Sequence, residues 1–338
     1  MVNAETLSAN LAQAGPPAPA PTGVAVMIAA WRASETIGKA VASALAQPEA
    51  TQIVVVDDAS GDDGATVAAA RAADDGSGRL IILELPRNGG PSRARNAAMT
   101  ATRSPWLCTL DSDDYMEPGR LAAVLAVAEQ GYDFVGDDLL QTPAGLPVSH
   151  GRPMWFAGPA VAATIRFDQF VRSNIPKAGR ARRELGFLKP LMSRSFLERH
   201  RLSYDEAMRL GEDYDLYARA LAAGARFRLI PYAGYVSIMR SDSLSARHSL
   251  ADLANLEAAD ARLLDNPKLS KREIRFVRDH LRSTRKRSIW IEVMDALKRG
   301  HIFTAAGALI REPHHAPHVI GWLFDVALRK ITGRKRAS

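Results

Sequence analysis

Three carboxylates crowd the stretch Asp111-Ser-Asp-Asp114, directly behind the apolar run Trp106-Leu-Cys-Thr-Leu110. Carboxylates this close repel one another. Two of them one residue apart, in a loop that follows a strand, can share a hard divalent cation such as Mn2+ or Mg2+, which prefers oxygen ligands and keeps positions open for phosphates. Asp111 and Asp113, with Ser112 between them, are the candidates for that chemistry. An acidic turn in which Asp114 caps the next helix explains the short motif equally well. Three further groups carry charge in a pattern. Asp57 and Asp58 stand in Val56-Asp-Asp-Ala-Ser-Gly-Asp62. Arg93 and Arg95 stand in Arg87-Asn-Gly-Gly-Pro-Ser-Arg-Ala-Arg-Asn96, where Pro91 can start a helix whose N-terminus and guanidinium groups favour anions. Glu212 and Asp213 follow Gly211 and read, by themselves, as an acidic helix start that complements the helix dipole.

The elements that position these groups alternate. From Gly23 the chain runs VAVMIAA (24–30), a helix over 34–46, QIVVVD (52–57), a helix over 63–74, RLIILEL (79–85), a helix over 91–102, WLCTL (106–110) and a helix over 118–129. This βαβαβαβα order predicts a doubly wound α/β fold, a mostly parallel central sheet flanked by helices. Such sheets bind ligands in the crevice beyond the strand C-termini, where the DSDD cluster falls. Strand one ends in Ala29-Ala-Trp-Arg-Ala-Ser-Glu35, without the Gly-x-Gly-x-x-Gly turn of dinucleotide-binding folds, and there is no Walker A pattern. A nucleotide would have to be held by side chains at the strand ends. After YDFVGDD (132–138) the pattern loosens to about Gly186; a helical SRSFLERH and a helix over about 213–223 follow.

With 338 residues, 47% hydrophobic and 24% charged, the chain can bury a full core. Its single cysteine, Cys108, excludes an internal disulfide and reads as a core thiol. Residues 1–22 read as a disordered tail and not as a secretion signal; with no apolar stretch long enough to span a bilayer, a cytoplasmic location is expected. The net charge of +7 is uneven: residues 268–338 hold 17 Lys and Arg against 6 Asp and Glu, a net of +11, which leaves −4 for residues 1–267. This pattern, with no interleaving of aromatic and basic residues, disfavours nucleic acid as a partner.

Taken together, the first strand end, VVDDASGD, NGGPSRARN, CTLDSDD and Gly211-Glu-Asp213 resemble the inverting family 2 glycosyltransferases of the GT-A fold, over about residues 24–245. That family carries, in order, a strand ending near Pro-Ala-Tyr-Asn, a VVDDxSxD segment, an N-x-G-x-x-x-A-R-N segment, a D-x-D-D metal site and a Glu-Asp pair. More narrowly, GFLKPLMSRSFLERHRLSYDE, GEDYDLYARALAAGARF and YVSIMRSDSLS are similar to bacterial exopolysaccharide glycosyltransferases of the succinoglycan glucosyltransferase type. Two departures stand out: Ala29-Ala-Trp-Arg32 replaces Pro-Ala-Tyr-Asn, and the Q-x-x-R-W motif of processive members is absent, which favours transfer of a single sugar.

The resemblance implies roles. Ala30 and Trp31 would lie against the uracil of a UDP-sugar, with Trp31 as aromatic platform, and Asp58, or less readily Asp57, would accept the ring N–H. Asp111 would touch the ribose and share with Asp113 the Mn2+ or Mg2+ that bridges the diphosphate; Asp114 would be structural. Arg95, and less readily Arg93, would add charge near the nucleotide, and Arg240 would reach the diphosphate. Asp213 would be the general base, with Glu212 beside it on the acceptor side. Trp155, Phe156 and Phe187 lie where an acceptor sugar needs a stacking surface, although core packing explains each as well.

The implied organisation is a tail (1–22), a nucleotide-sugar-binding half (23–140), an acceptor-binding and catalytic half (141–249) and a basic helical extension (250–338). In that extension Ile274, Val277 and Leu281, then Ile289, Val293 and Leu297, recur at helical spacing among basic residues. Such helices can lie on an anionic membrane, as suits a lipid-linked saccharide acceptor, or pack as an ordinary subdomain. The histidines of Arg311-Glu-Pro-His-His-Ala-Pro-His318 read as a solvated linker in preference to a metal site. The expected function is metal-dependent, inverting transfer of one hexose, glucose by resemblance, from a UDP-sugar to a lipid-linked or growing saccharide. The rival readings are a sugar-nucleotide pyrophosphorylase, whose glycine-rich, lysine-bearing loop is missing, and a non-catalytic nucleotide-sugar-binding protein.

Overall fold

Strand β1 (Val24–Ala30) is buried along nearly its whole length because it lies at the middle of a parallel block. A strand covered by helices on both faces has no polar side to alternate with, so it reads as an unbroken apolar run. A computed structural model describes residues 23–156, 161–176, 183–240 and 249–332. The proposed tail, the segment 241–248 after Arg240 and the last six residues lie outside the described residues.

The parallel block comprises β1, β2 (Ala50–Asp57), β3 (Leu80–Glu84) and β4 (Trp106–Thr109), in the order β3-β2-β1-β4. Helices α1 (Ile37–Leu45), α2 (Ala65–Ala72) and α3 (Pro91–Ala101) make the crossovers, and α4 (Arg120–Ala128) follows β4. Beyond β4 the sheet is mixed. β9 (Leu191–Ser193) runs antiparallel between β4 and β6 (Phe134–Pro143), β6 pairs in parallel with β10 (Phe227–Met239), and the short β5 (Tyr115–Met116) closes the edge antiparallel to β10. The loose middle region holds β7 (Arg152–Pro153), β8 (Ala163–Ile165) and α5 (Phe167–Ser173). Helices α6 (Arg194–Arg199) and α7 (Glu212–Ala222) complete this part.

One sheet therefore runs through both expected halves, and β6 spans the boundary drawn at residue 140. β10 pairs with β6 across an irregularity between Ile230 and Tyr235. Gly234 sits in that bulge at φ 132°, where a Cβ would meet Arg120 Cβ at 3.1 Å and the Glu117 carbonyl at 3.3 Å. A residue with a side chain would be strained there and would press tightly on the Glu117 backbone.

The C-terminal extension divides in two. Helix α8 (Leu250–Leu264), the turn after it and the first half of α9 (Lys271–Lys298) bury Leu263, Leu269 and Val277 in the main core. The second half of α9 with α10 (Ile302–Arg311) and α11 (Ala316–Thr332) forms a small core of its own around Ile289, Val293, Ala305, Ala308 and Val319. No helix among the described residues is long and apolar enough to cross a membrane.

Candidate active site

Asp111 follows β4 and Asp213 lies in the first turn of α7, a hundred residues later, yet one ammonium touches both. Lys189 Nζ stands 2.9 Å from Asp111 Oδ2 and 2.8 Å from Asp213 Oδ2. Arg95, on α3, closes the circuit from the other side: Nη2 donates to Asp111 Oδ1 at 2.9 Å, and Nη1 to Glu212 Oε1 at 2.6 Å and Asp213 Oδ1 at 3.2 Å. Two cations thus face three carboxyls. Arg95, Lys189, Glu212 and Asp213 are buried, while the Asp111 side chain retains 33% exposure and opens the ring to the crevice.

Burial disfavours charge on each member, so the partners decide the outcome. For Asp111 burial pushes the carboxyl up, but Lys189 and Arg95 outweigh it and hold the group below the usual carboxylate range. For Lys189 and Arg95 burial pulls down, and the facing carboxylates more than reverse it. Glu212 goes the other way: burial dominates, with Arg95 only partly opposing, and its carboxyl is raised. Asp213 also lies 3.4 Å from the Tyr217 hydroxyl, which donates to the Leu188 carbonyl at 3.1 Å. The Tyr204 hydroxyl and Arg95 Nε are buried without a hydrogen-bond partner.

Asp113 is raised by burial and then by the charge of Asp111, with Arg240 and Lys189 opposing. A divalent cation would relieve both causes, so this carboxylate suits one. Asp111 has both oxygens committed to the ring. No group of three or more His, Cys, Asp and Glu among the described residues is arranged to hold a metal. A cation here would take one or two protein oxygens and complete its shell from outside the chain, as Mg2+ and Mn2+ commonly do. Asp114 is built into the fold. Its oxygens accept from the Tyr235 hydroxyl at 2.9 Å and the Ile238 amide at 2.7 Å, and burial keeps its carboxyl well above the ordinary value.

The other expected residues line the strand ends. Asp58 accepts from the Gly89 and Gly90 amides at 2.8 and 2.7 Å and pins the loop before α3 to the end of β2. Asp57 is tied to Ser60. Ala30 is buried, and its carbonyl accepts from the Asp58 amide at 2.8 Å. Trp31 is 45% exposed with the Arg32 guanidinium over its ring at 5.0 Å, and Arg32 itself is held by Ser60. Ser112 is half-buried. Trp155 and Phe156 donate their amides to Asp138, and both pack with Phe187 against the main core. The structure thus joins Arg95, Asp111, Glu212 and Asp213 in one ring, with Asp113 beside it, and leaves the aromatic residues outside the ring.

Lys189 was not anticipated. Its signal was a lone ammonium in the apolar run Leu185-Gly-Phe-Leu-Lys-Pro-Leu-Met192, which a buried segment tolerates only if carboxylates meet it.

The chain is 44% identical to the succinoglycan biosynthesis protein ExoU of Rhizobium meliloti over 305 residues, 90% of this chain and 87% of that protein. Residues 25–177 match the family model for glycosyl transferase family 2. The chain belongs to that family. The glycosyltransferase fold is of the GT-A kind. It is similar to Staphylococcus aureus TarS 1–349 in complex with UDP-GlcNAc, at TM-score 0.58 and 15% identity over 86% of this chain and 92% of that one. It is also similar to the mannosyltransferase PcManGT of Pyrobaculum calidifontis in complex with GDP-Man and Mn2+, at TM-score 0.55 and 16% identity over 96% and 86% of the two chains.

Proposed function

We propose that this glycosyltransferase moves a single hexose, glucose by its resemblance to the succinoglycan enzymes, from a UDP-sugar to a lipid-linked or growing saccharide in exopolysaccharide biosynthesis, with inversion. The observation that carries the reading is the ammonium shared by Asp111 and Asp213: it sets the Glu-Asp pair directly beside the Asp-Ser-Asp loop.

Asp57, Asp58, Ala30 and Trp31 are assigned to the uridine, and Arg240 to the diphosphate. Asp113, with Asp111, would hold Mn2+ or Mg2+, which offsets the charge that grows on the departing UDP. Asp213 takes the proton of the acceptor hydroxyl as that oxygen bonds to the sugar C1 and the bond from C1 to the diphosphate oxygen breaks. Arg95 and Lys189 fix the orientation of its two oxygens. Glu212 steers the acceptor, and Trp155 and Phe187 offer it apolar surface.

The extension supports attachment to an anionic membrane at the cytoplasmic face. Its residues 268–338 carry a net charge of +11, and it exposes Ile302, Phe303, Ile310 and Phe324, Phe303 at 95%. Flotation of F303S/I310S with anionic liposomes should fall well below that of the parent chain; equal flotation removes the membrane from the proposal. These two residues are exposed, so the substitutions leave both cores intact.

The catalytic reading is tested with the full chain, Mn2+ and a panel of UDP-sugars, following UDP release. Asp213→Asn should lower turnover by about 10²- to 10⁴-fold and leave UDP binding nearly intact, whereas Asp113→Asn should abolish metal-dependent UDP binding. No UDP release from any donor, together with no thermal shift on adding UDP, overturns it.

A further inference from the structure

The histidines read from sequence as a solvated linker face a cavity. His314 and His315, in the turn between α10 and α11, and His318, in the first turn of α11, line a space of about 400 Å³ together with Arg282 and Lys286 of α9. Every one of these side chains is cationic or becomes so on protonation, and the acids nearby are already committed. Glu312 accepts from Arg285 Nη2 at 2.7 Å and Nε at 3.1 Å, Arg285 also pairs with Glu257, and Asp279 pairs with Arg282 at 3.3 Å. Among the described residues, no carboxylate lies within ion-pair distance of Lys286.

His315 Nδ1 is buried without a hydrogen-bond partner. Burial holds this imidazole below its ordinary range, and Lys286, His314 and His318 push the same way against Glu312. Converging positive charge of this kind repels itself until an anion enters, and a phosphate offers several acceptor oxygens to a guanidinium, an ammonium and imidazole N–H groups at once. A metal ion would meet Arg282 and Lys286 head-on, and among the described residues no metal-binding group of His, Cys, Asp and Glu is formed.

We propose that this cavity binds a phosphate group, carried either by an anionic phospholipid headgroup or by a soluble phosphorylated compound. The site is independent of the donor crevice and of the transfer chemistry assigned to it.

Titration calorimetry of the full chain with inorganic phosphate tests it. Arg282→Gln with Lys286→Gln should weaken binding by about tenfold or more, the loss of two charge-assisted contacts. Arg275→Gln with Arg278→Gln removes the same charge from exposed positions on the same helix and should leave affinity within about twofold, as screened surface charges do. No phosphate binding by the parent, or equal losses in the two double variants, would each overturn the proposal. Sedimentation with phosphatidylglycerol vesicles, against phosphatidylcholine vesicles, then identifies the carrier. Retention that R282Q/K286Q loses and inorganic phosphate competes away assigns the headgroup. Retention that neither changes, with phosphate binding intact, assigns the soluble compound.

Discussion

Two clusters of buried charge stand close together in this molecule and do different work. Arg120 and Asp137 are both sealed from solvent and matched one to one. Asp137 Oδ1 accepts from Arg120 Nε at 3.0 Å and Nη2 at 2.8 Å, and Oδ2 accepts from the Ala233 and Tyr235 amides that flank the β10 bulge. Arg120 also donates to Cys108 Sγ, Met116 Sδ and, at 2.6 Å, the Lys189 carbonyl. The ring of Arg95, Lys189, Asp111, Glu212 and Asp213 sets two cations against three carboxyls and is open at Asp111. A balanced, sealed pair holds backbone in place; an unbalanced, open one has acceptor capacity left for something that arrives. The two are linked, because the sealed pair grips the backbone of the residue whose ammonium completes the open ring.

Breaking the sealed pair should have the largest effect on stability. Arg120→Met leaves Asp137 buried without a charge partner and should cost about 3–5 kcal/mol in urea unfolding. Adding Asp137→Asn removes the orphaned charge yet keeps an acceptor for the two amides, and should recover most of that loss. No recovery in the double variant would mean that Arg120 acts through its contacts with Cys108, Met116 and the Lys189 carbonyl, and the distinction between the clusters would weaken.

The same cut in the open ring should behave differently. Lys189→Met leaves Arg95 in contact with all three carboxyls and Asp111 in reach of water, so the expected cost is smaller, about 1–3 kcal/mol. Its effect on transfer should be disproportionate, about 10²-fold in kcat, with donor affinity less changed, because Asp213 loses one of the groups that orient it. A stability loss as large as that of Arg120→Met, with kcat nearly normal, would make Lys189 a second sealed cation and not part of the site.

How far each cluster could be read in the sequence follows from the same physics. The parallel block was legible because a strand covered on both faces is an unbroken apolar run; the expected strands at 24–30, 52–57, 79–85 and 106–110 agree with β1 to β4 within two residues. β5, β7, β8 and β9 were not, since two or three residues carry no periodicity, and the pairing of β5, β8 and β9 rests on partners far along the chain. The carboxylates stood out because repelling charge at strand ends needs a reason. The cations that answer them did not: Arg95 read as charge for a nucleotide, and its three carboxylate contacts join α3 to residues 111, 212 and 213. Only folding places those side by side. The divided extension was hidden for a related reason, since α9 has one helical period throughout but two different cores beneath it.

The smallest expected effect tests the sign of the ring's electrostatics. Asp111 is held below its ordinary value of 3.8 by Lys189 and Arg95 despite burial. Its ionised form is therefore bound more favourably in the folded chain than in the unfolded one. That contribution is complete above about pH 4 and is lost as the pH falls through the lower, folded value. Removing Lys189 removes much of the depression, so the stability gap between the parent and Lys189→Met should narrow by about 1 kcal/mol or less as the pH drops below 4. Arg120→Met, measured alongside by urea unfolding at each pH, controls for the general weakening of the fold in acid. A Lys189→Met gap that widens in acid, or that follows the Arg120→Met gap throughout, would show that the ammonium is not what holds Asp111 ionised and would leave Arg95 as the cation that does.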